Sequence, residues 1–209
     1  MPRYLLVAGI DFGTSFTKIV LRDKNTPSAP AAVFHHPLHP NGLIPSLVGL
    51  DGPNIVPLAA PAPGIAVPYI KMVAAAVAED GTFRGCGVTL PPGVSHLAKE
   101  GITERMVARA LLAAYFVHLT AAIRDFIRGD RRWRDFDFST TGASDALVHQ
   151  LAVPSGLLSE GARAERLFRE SLIAAFELRS QLTKPFVQSL PAAEWINAVN
   201  RVLDLPDSE

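Results

Sequence analysis

Cysteine is nearly absent from this chain. Cys86 is alone among 209 residues, which excludes an intrachain disulfide framework and any metal cage made of thiolates. Its position between Gly85 and Gly87, with no histidine close by, also speaks against a redox or protease role. Charge of one sign is missing too. Lys and Arg number 20, Asp and Glu number 20, and the formal net charge is zero. Such a balance argues against a chain whose main task is to grip nucleic acid or an anionic membrane. No uncharged apolar run approaches the ~20 residues of a membrane-spanning helix. The first nine residues carry one basic residue and lead straight to Asp11 without a small-residue cleavage signal. The expectation is a cytoplasmic protein with neither nucleic acid nor membrane among its partners.

Two local gaps divide the chain. Of 17 prolines, 12 lie between residues 27 and 92, and none occurs from 93 to 153. The proline-rich stretch is almost free of charge, with Asp51 alone between Thr26 and Lys71. Its apolar content suits turns and short extended segments packed against something, not a solvated linker. Hydrophobic residues at 48% against 19% charged leave ample material for a core.

Residues 4–11 (YLLVAGID) form an apolar run too short for a helix and read as a buried strand. Residues 16–22 (FTKIVLR) read as a second strand, and 12–15 (FGTS) have the length of a hairpin turn. Residues 43–50 (LIPSLVGL) and 147–153 (LVHQLAV) are further strand candidates. Thr103 is placed to cap a helix from about Glu104 to Arg128, ended by Gly129. Within it Tyr115, Phe116 and Phe126 follow helical spacing and read as core. Residues 128–138 (RGDRRWRDFDF) alternate acids and bases and read as a solvated connection. Ser159 is placed to cap a helix through Leu178, and a last helix is expected from about Pro191 to Leu203. A hairpin followed by alternating helices and strands predicts an α/β fold with a mixed sheet. His35, His36 and His39 lie in a proline-stiffened loop whose spacing fits no common metal site.

The segment 9–18 (GIDFGTSFTK) is where chemistry concentrates. A strand delivers Asp11 to a sheet edge, and Gly13 lets the backbone turn tightly with no Cβ in a ligand's way. Thr14 and Ser15 offer hydroxyls and consecutive N–H groups, which in a tight turn make a concave anion site. Asp11 is suited to hold Mg²⁺ through water, because that ion keeps much of its hydration shell. The pattern is not a Walker A loop, which needs GxxxxGK[ST] opening a helix.

This string resembles the first phosphate-binding hairpin of the actin-like ATPase superfamily, which includes DnaK-like chaperones, actins, bacterial filament proteins and sugar kinases. Residues 44–50 (IPSLVGL), 67–74 (VPYIKMVA) and 151–155 (LAVPS) are similar to segments of the DnaK-like branch. The resemblance implies an RNase H-like first lobe with a mixed sheet, an N-terminal β-hairpin and flanking helices. Residues 1–26 and 93–209 would form its core, and 27–92 an inserted subdomain. It also implies ATP or ADP with Mg²⁺ as cofactors. Gly13, Thr14, Ser15, Phe16 and Thr17 would bind phosphates, Asp11 would serve the metal, and Lys71 would be catalytic together with Asp11. Two departures are visible. Leu190 occupies the place of the family's metal-binding glutamate, and Glu194 stands one turn on. No second phosphate hairpin of Asp-Gly-Gly type occurs, so a second lobe, in a longer chain or a separate subunit, is the expected partner. Protein clients are a further expectation, and ATP hydrolysis would require completion by that lobe. The alternatives are a lobe of a sugar or metabolite kinase and a non-catalytic interaction module.

Overall fold

Strict alternation between residues 5 and 23 yields a hairpin with one buried face. The computed structural model describes residues 3–37, 39–56, 65–78, 97, 101–139, 145–152, 162–179 and 190–204. Strands β1 (Leu5–Phe12) and β2 (Phe16–Asp23) pair antiparallel from Leu6↔Asp23 to Phe12↔Thr17. Leu6, Ala8, Ile10 and Phe12 of β1, with Ile19 and Leu21 of β2, point into the core. Strand β8 (Ala146–Ala152) runs parallel to β1, from Leu5↔Ala146 to Asp11↔Ala152. Strands β3 (Ala32–Val33) and β4 (Ile44–Pro45) both add to β2, so the first sheet is mixed, in the order β3-β2-β1-β8. The expected α/β class with a mixed sheet is present.

A second sheet has the order β7-β5-β6-β9. Its strands are β5 (Val48–Asp51), β6 (Asn54–Val56), β7 (Ile65–Val67) and β9 (Leu190–Pro191). The expected strand over 43–50 is therefore two strands in two sheets. The break falls at Ser46, whose N–H donates to the Ser15 carbonyl (2.9 Å) and whose carbonyl accepts from Ile70 N–H (3.0 Å). The described part of the proline-rich stretch feeds strands into both sheets and a helix into the layer beside them.

Four helices pack among the described residues: α1 (Ile70–Ala78), α2 (Glu104–Gly129), α3 (Ala162–Arg179) and α4 (Ala192–Asp204). Helix α2 is central and touches the other three. Thr103 caps it as expected, its hydroxyl accepting from Met106 N–H at 3.2 Å. From Val107 to Thr120 nearly every residue is buried, as a helix apolar on all sides requires. By length and composition α2 could cross a membrane, yet 78% of its most apolar window is buried against the protein. Helix α4 starts at Ala192, one residue later than expected, because Pro191 is drawn into β9 opposite Asn54.

Residues 130–138 correct the expectation of a solvated connection. Trp133 and Phe136 are buried, and Phe138 packs against Phe136 at 4.6 Å. The buried carboxylate of Asp145 fastens this turn to β1, accepting from Tyr4 N–H (2.8 Å), Asp137 N–H (2.9 Å) and Arg3 (3.2 Å). The expectations for Cys86, residues 153–155 and the Ser159 cap lie outside the described residues.

Candidate functional site

The hairpin turn is anchored from below by aromatic packing. Phe12 ends β1 and meets Tyr115 and Phe116 of α2 (both 5.4 Å between centroids) and Phe168 of α3 (5.8 Å). Above that anchor the chain turns through Gly13, Thr14 and Ser15. A Cβ on Gly13 would stand 2.3 Å from the Phe16 carbonyl oxygen, so the tightness of the turn demands glycine there. Thr14, Ser15 and Phe16 are exposed, and so is the Asp11 carboxylate at the end of β1. The turn is open to solvent, as a ligand-binding concavity requires.

Carbonyls of the turn are taken from the protein side. Lys71, in the first turn of α1, donates from Nζ to the Phe12 carbonyl. Ser46 Oγ donates to the Gly13 carbonyl at 2.9 Å, and Ser46 N–H holds the Ser15 carbonyl. Among the described residues no hydrogen-bond partner takes the N–H of Thr14 or Ser15. The carbonyls of Phe12, Gly13 and Ser15 are thus occupied, and the exposed Thr14 and Ser15 keep N–H groups with no protein partner among the described residues.

Lys71 is fully buried and lies 5.3 Å from the Phe12 ring centroid. Burial pushes its ammonium down to about 8, partly opposed by the nearby Asp11 carboxylate. At neutral pH it therefore remains largely a cation, close beneath an open turn. The residue before α1, Tyr69, has φ of 54°, a left-handed conformation costly for a bulky side chain. Its carbonyl accepts from Met72 N–H (2.7 Å) and Val73 N–H (3.1 Å), so this strained residue starts the helix that carries Lys71.

Thr17 differs from its expected role. It is fully buried, on the opposite face of β2 from the exposed Phe16 and Lys18. Its hydroxyl accepts from Tyr115 OH at 2.6 Å and lies 3.2 Å from Ser46 Oγ. Tyr115, Thr17, Ser46 and Gly13 thus form one chain of hydrogen bonds leading to the turn, and Thr17 supports the turn instead of facing a ligand. Burial raises the Tyr115 phenol to about 12, so it stays a donor. Sequence reasoning missed Ser46 and Tyr115 in this role. A tyrosine inside an otherwise apolar helix was the available signal, since a buried phenol needs a partner.

Glu194, in the first turn of α4, is exposed, and Leu190 lies in β9 opposite Ile55. Elsewhere, His35, His36 and Pro37 line a cavity of about 450 Å³ with Asp125, Phe126 and Asp130. No group of three potential metal ligands occurs among the described residues. No protein-family model matches the sequence, and neither a curated protein nor a solved structure matches it.

Proposed function

We propose that the turn at residues 13–15 receives the phosphates of a magnesium-bound nucleotide, in the first lobe of a DnaK-like ATPase or ATP-driven switch protein. The observation that carries this reading is the convergence of Lys71 on the hairpin. Fifty-nine residues after Phe12, a buried lysine is brought to that residue's carbonyl, at the start of the exposed turn. A buried cation of this kind has no need to be there for packing alone, and it suits a neighbouring polyanion.

The residues fit the implied cofactor in chemistry. Gly13, Thr14 and Ser15 supply amides and hydroxyls for phosphate oxygens, and exposed Asp11 supplies a carboxylate for hydrated Mg²⁺. Bound Mg²⁺ would supply charge neutralisation for phosphate oxygens. Lys71 would orient the terminal phosphate, and Thr17, Ser46 and Tyr115 would hold the turn's shape. The antiparallel hairpin with a third strand on one side and a parallel strand on the other is compatible with an RNase H-like first lobe. Completion by a second lobe, and the transmission of closure to a client, belong to the same proposal.

The test is a titration of the full chain, alone and with its second lobe where one is supplied, with Mg·ATP, Mg·ADP and ATP plus chelator. Binding should weaken at least roughly tenfold in Asp11→Ala and on chelation, since a charge-assisted contact is lost. Lys71→Ala should retain binding and lose turnover. Equal affinity of wild type and Asp11→Ala would remove the reading. A second reading, a non-catalytic binding module, draws on Leu190 standing where the family has its metal-binding glutamate. It is favoured if nucleotide binds and Lys71→Ala changes no turnover.

A further inference from the structure

Away from the hairpin, basic side chains of β8, α2 and α3 gather, with no ion pair from Arg124 or Arg179 to an acid among the described residues. His149 is in the middle of β8, opposite Ala8 of β1. Its ring meets Phe176 of α3 edge-on, 4.7 Å between centroids. The guanidinium of Arg179, at the end of α3, lies over the same ring at 5.1 Å. Phe176 is thereby a platform shared by an imidazole and a guanidinium. Arg124 of α2 is within electrostatic reach of both. It stacks over Phe138 at 4.5 Å, beside Arg128 over the same ring at 5.0 Å.

The polar atoms of this cluster are unsatisfied. His149 Nε2 and Arg179 Nη1 are buried and have no hydrogen-bond partner. The nearest acid on α2, Asp125, is bound to Arg128 at 3.1 Å. No ion pair joins Arg124 or Arg179 to a carboxylate of the described residues. Burial, then Arg179 and Arg124, push the proton affinity of His149 down; burial and then Arg124 lower that of Arg179; burial and then Arg128 lower that of Arg124, with Asp125 acting against it. The negative end of α3 favours a cation in its last turn, which explains why Arg179 is tolerated there. That does not partner a buried N–H. Native proteins rarely leave a buried guanidinium donor empty, and the planar fork of arginine matches an oxyanion.

We propose that Arg124, Arg179 and His149 form a binding site for a small oxyanion of the phosphate type, enclosed between β8 and the ends of α2 and α3. The burial of Nη1 and Nε2 suits a compact ion more than a group on a large ligand. The site is separate from the hairpin turn and does not depend on nucleotide binding there.

The experiment uses the full chain with ¹⁵N-labelled arginine and follows the side-chain Nε–Hε signals. Inorganic phosphate is added to millimolar levels at constant ionic strength held with chloride. The signals of Arg124 and Arg179 should move together and saturate, and chloride alone should not move them. Arg124→Gln and Arg179→Gln should each weaken phosphate roughly tenfold or more, as loss of a charge-assisted pair implies. Glycerol 3-phosphate in a parallel arm separates the free ion from a phosphoryl group on a larger molecule, and saturation by inorganic phosphate with the ester excluded is the expected result. Tighter binding of the ester would overturn the preference for a compact ion. The site itself is overturned if wild type shows no saturable shift, or if the shift survives in both arginine variants. The wild-type spectra decide the matter even if a variant does not fold.

Discussion

At Gly13 a single hydrogen atom in place of a methyl group decides whether the turn can close. Any Cβ would overlap a backbone oxygen, and backbone cannot rotate away as a side chain tip can. Gly13→Ala should therefore destabilise the protein by on the order of 2 kcal/mol. Urea unfolding midpoints measure this, and an unchanged midpoint would mean that the turn is looser than described. Lys71 illustrates a different residue-scale choice. Its amine is buried and bound to a carbonyl, at the cost of a lowered proton affinity. The buried amine reaches the carbonyl of Phe12, the residue just before the exposed turn, and that contact across 59 residues gives the nucleotide reading its content.

At the scale of elements, the strain at Tyr69 shows where local preference yields to placement. The chain leaves β7, bends through a left-handed tyrosine and enters α1 with Lys71 aimed at β1. Tyr69 is 44% exposed, so its side chain gains little from packing to offset this conformation. Asparagine tolerates left-handed backbone better, and Tyr69→Asn should raise stability by about 0.5–1 kcal/mol. The urea midpoint is the measure, and a fall would show that the tyrosine ring contributes more than its strain costs. Elements with a strong period were legible in the sequence: β1 and β2 by their apolar alternation, α2 by its cap and its apolar length. The division of residues 43–50 was not, because it is imposed by Ser46 reaching a turn 33 residues earlier. The burial of Trp133 and Phe136 was hidden by the charges between them. For the site, Asp11, Gly13 and Lys71 were readable from local strings. The Tyr115–Thr17 contact spans 98 residues and no local pattern announces it.

At the scale of the whole molecule, buried histidines couple the fold to pH. His118 lies inside α2, 5% exposed, with Nε2 unpartnered, and burial pushes it down to about 4. His149 is held down to about 4 as well, by burial and then by Arg179 and Arg124. Both are neutral in the folded protein and charge readily once unfolded, near pH 6.5. The unfolded chain thus binds more protons between about pH 6.5 and 4, and stability must fall as pH falls through that window. Each histidine accounts for a loss of about 3 kcal/mol over the full interval. Asp145 acts lower on the scale. Burial would raise its carboxyl, but the Asp137 and Tyr4 amides and Arg3 outweigh it and hold it below the ordinary value. Its contribution is present above the unfolded carboxylate range and disappears at more acid pH, so the two effects separate. Urea midpoints in phosphate-free buffer should be flat near pH 7, rise above about pH 8 as the buried Lys71 amine loses a proton that the unfolded chain keeps, and decline steadily toward pH 4. His118→Leu should remove about one proton from that slope. A slope identical to wild type would mean that His118 is already charged, or solvated, inside the fold. Phosphate in the buffer should steepen the stabilisation at low pH in wild type and not in Arg179→Gln, because an oxyanion beside His149 favours its charged form.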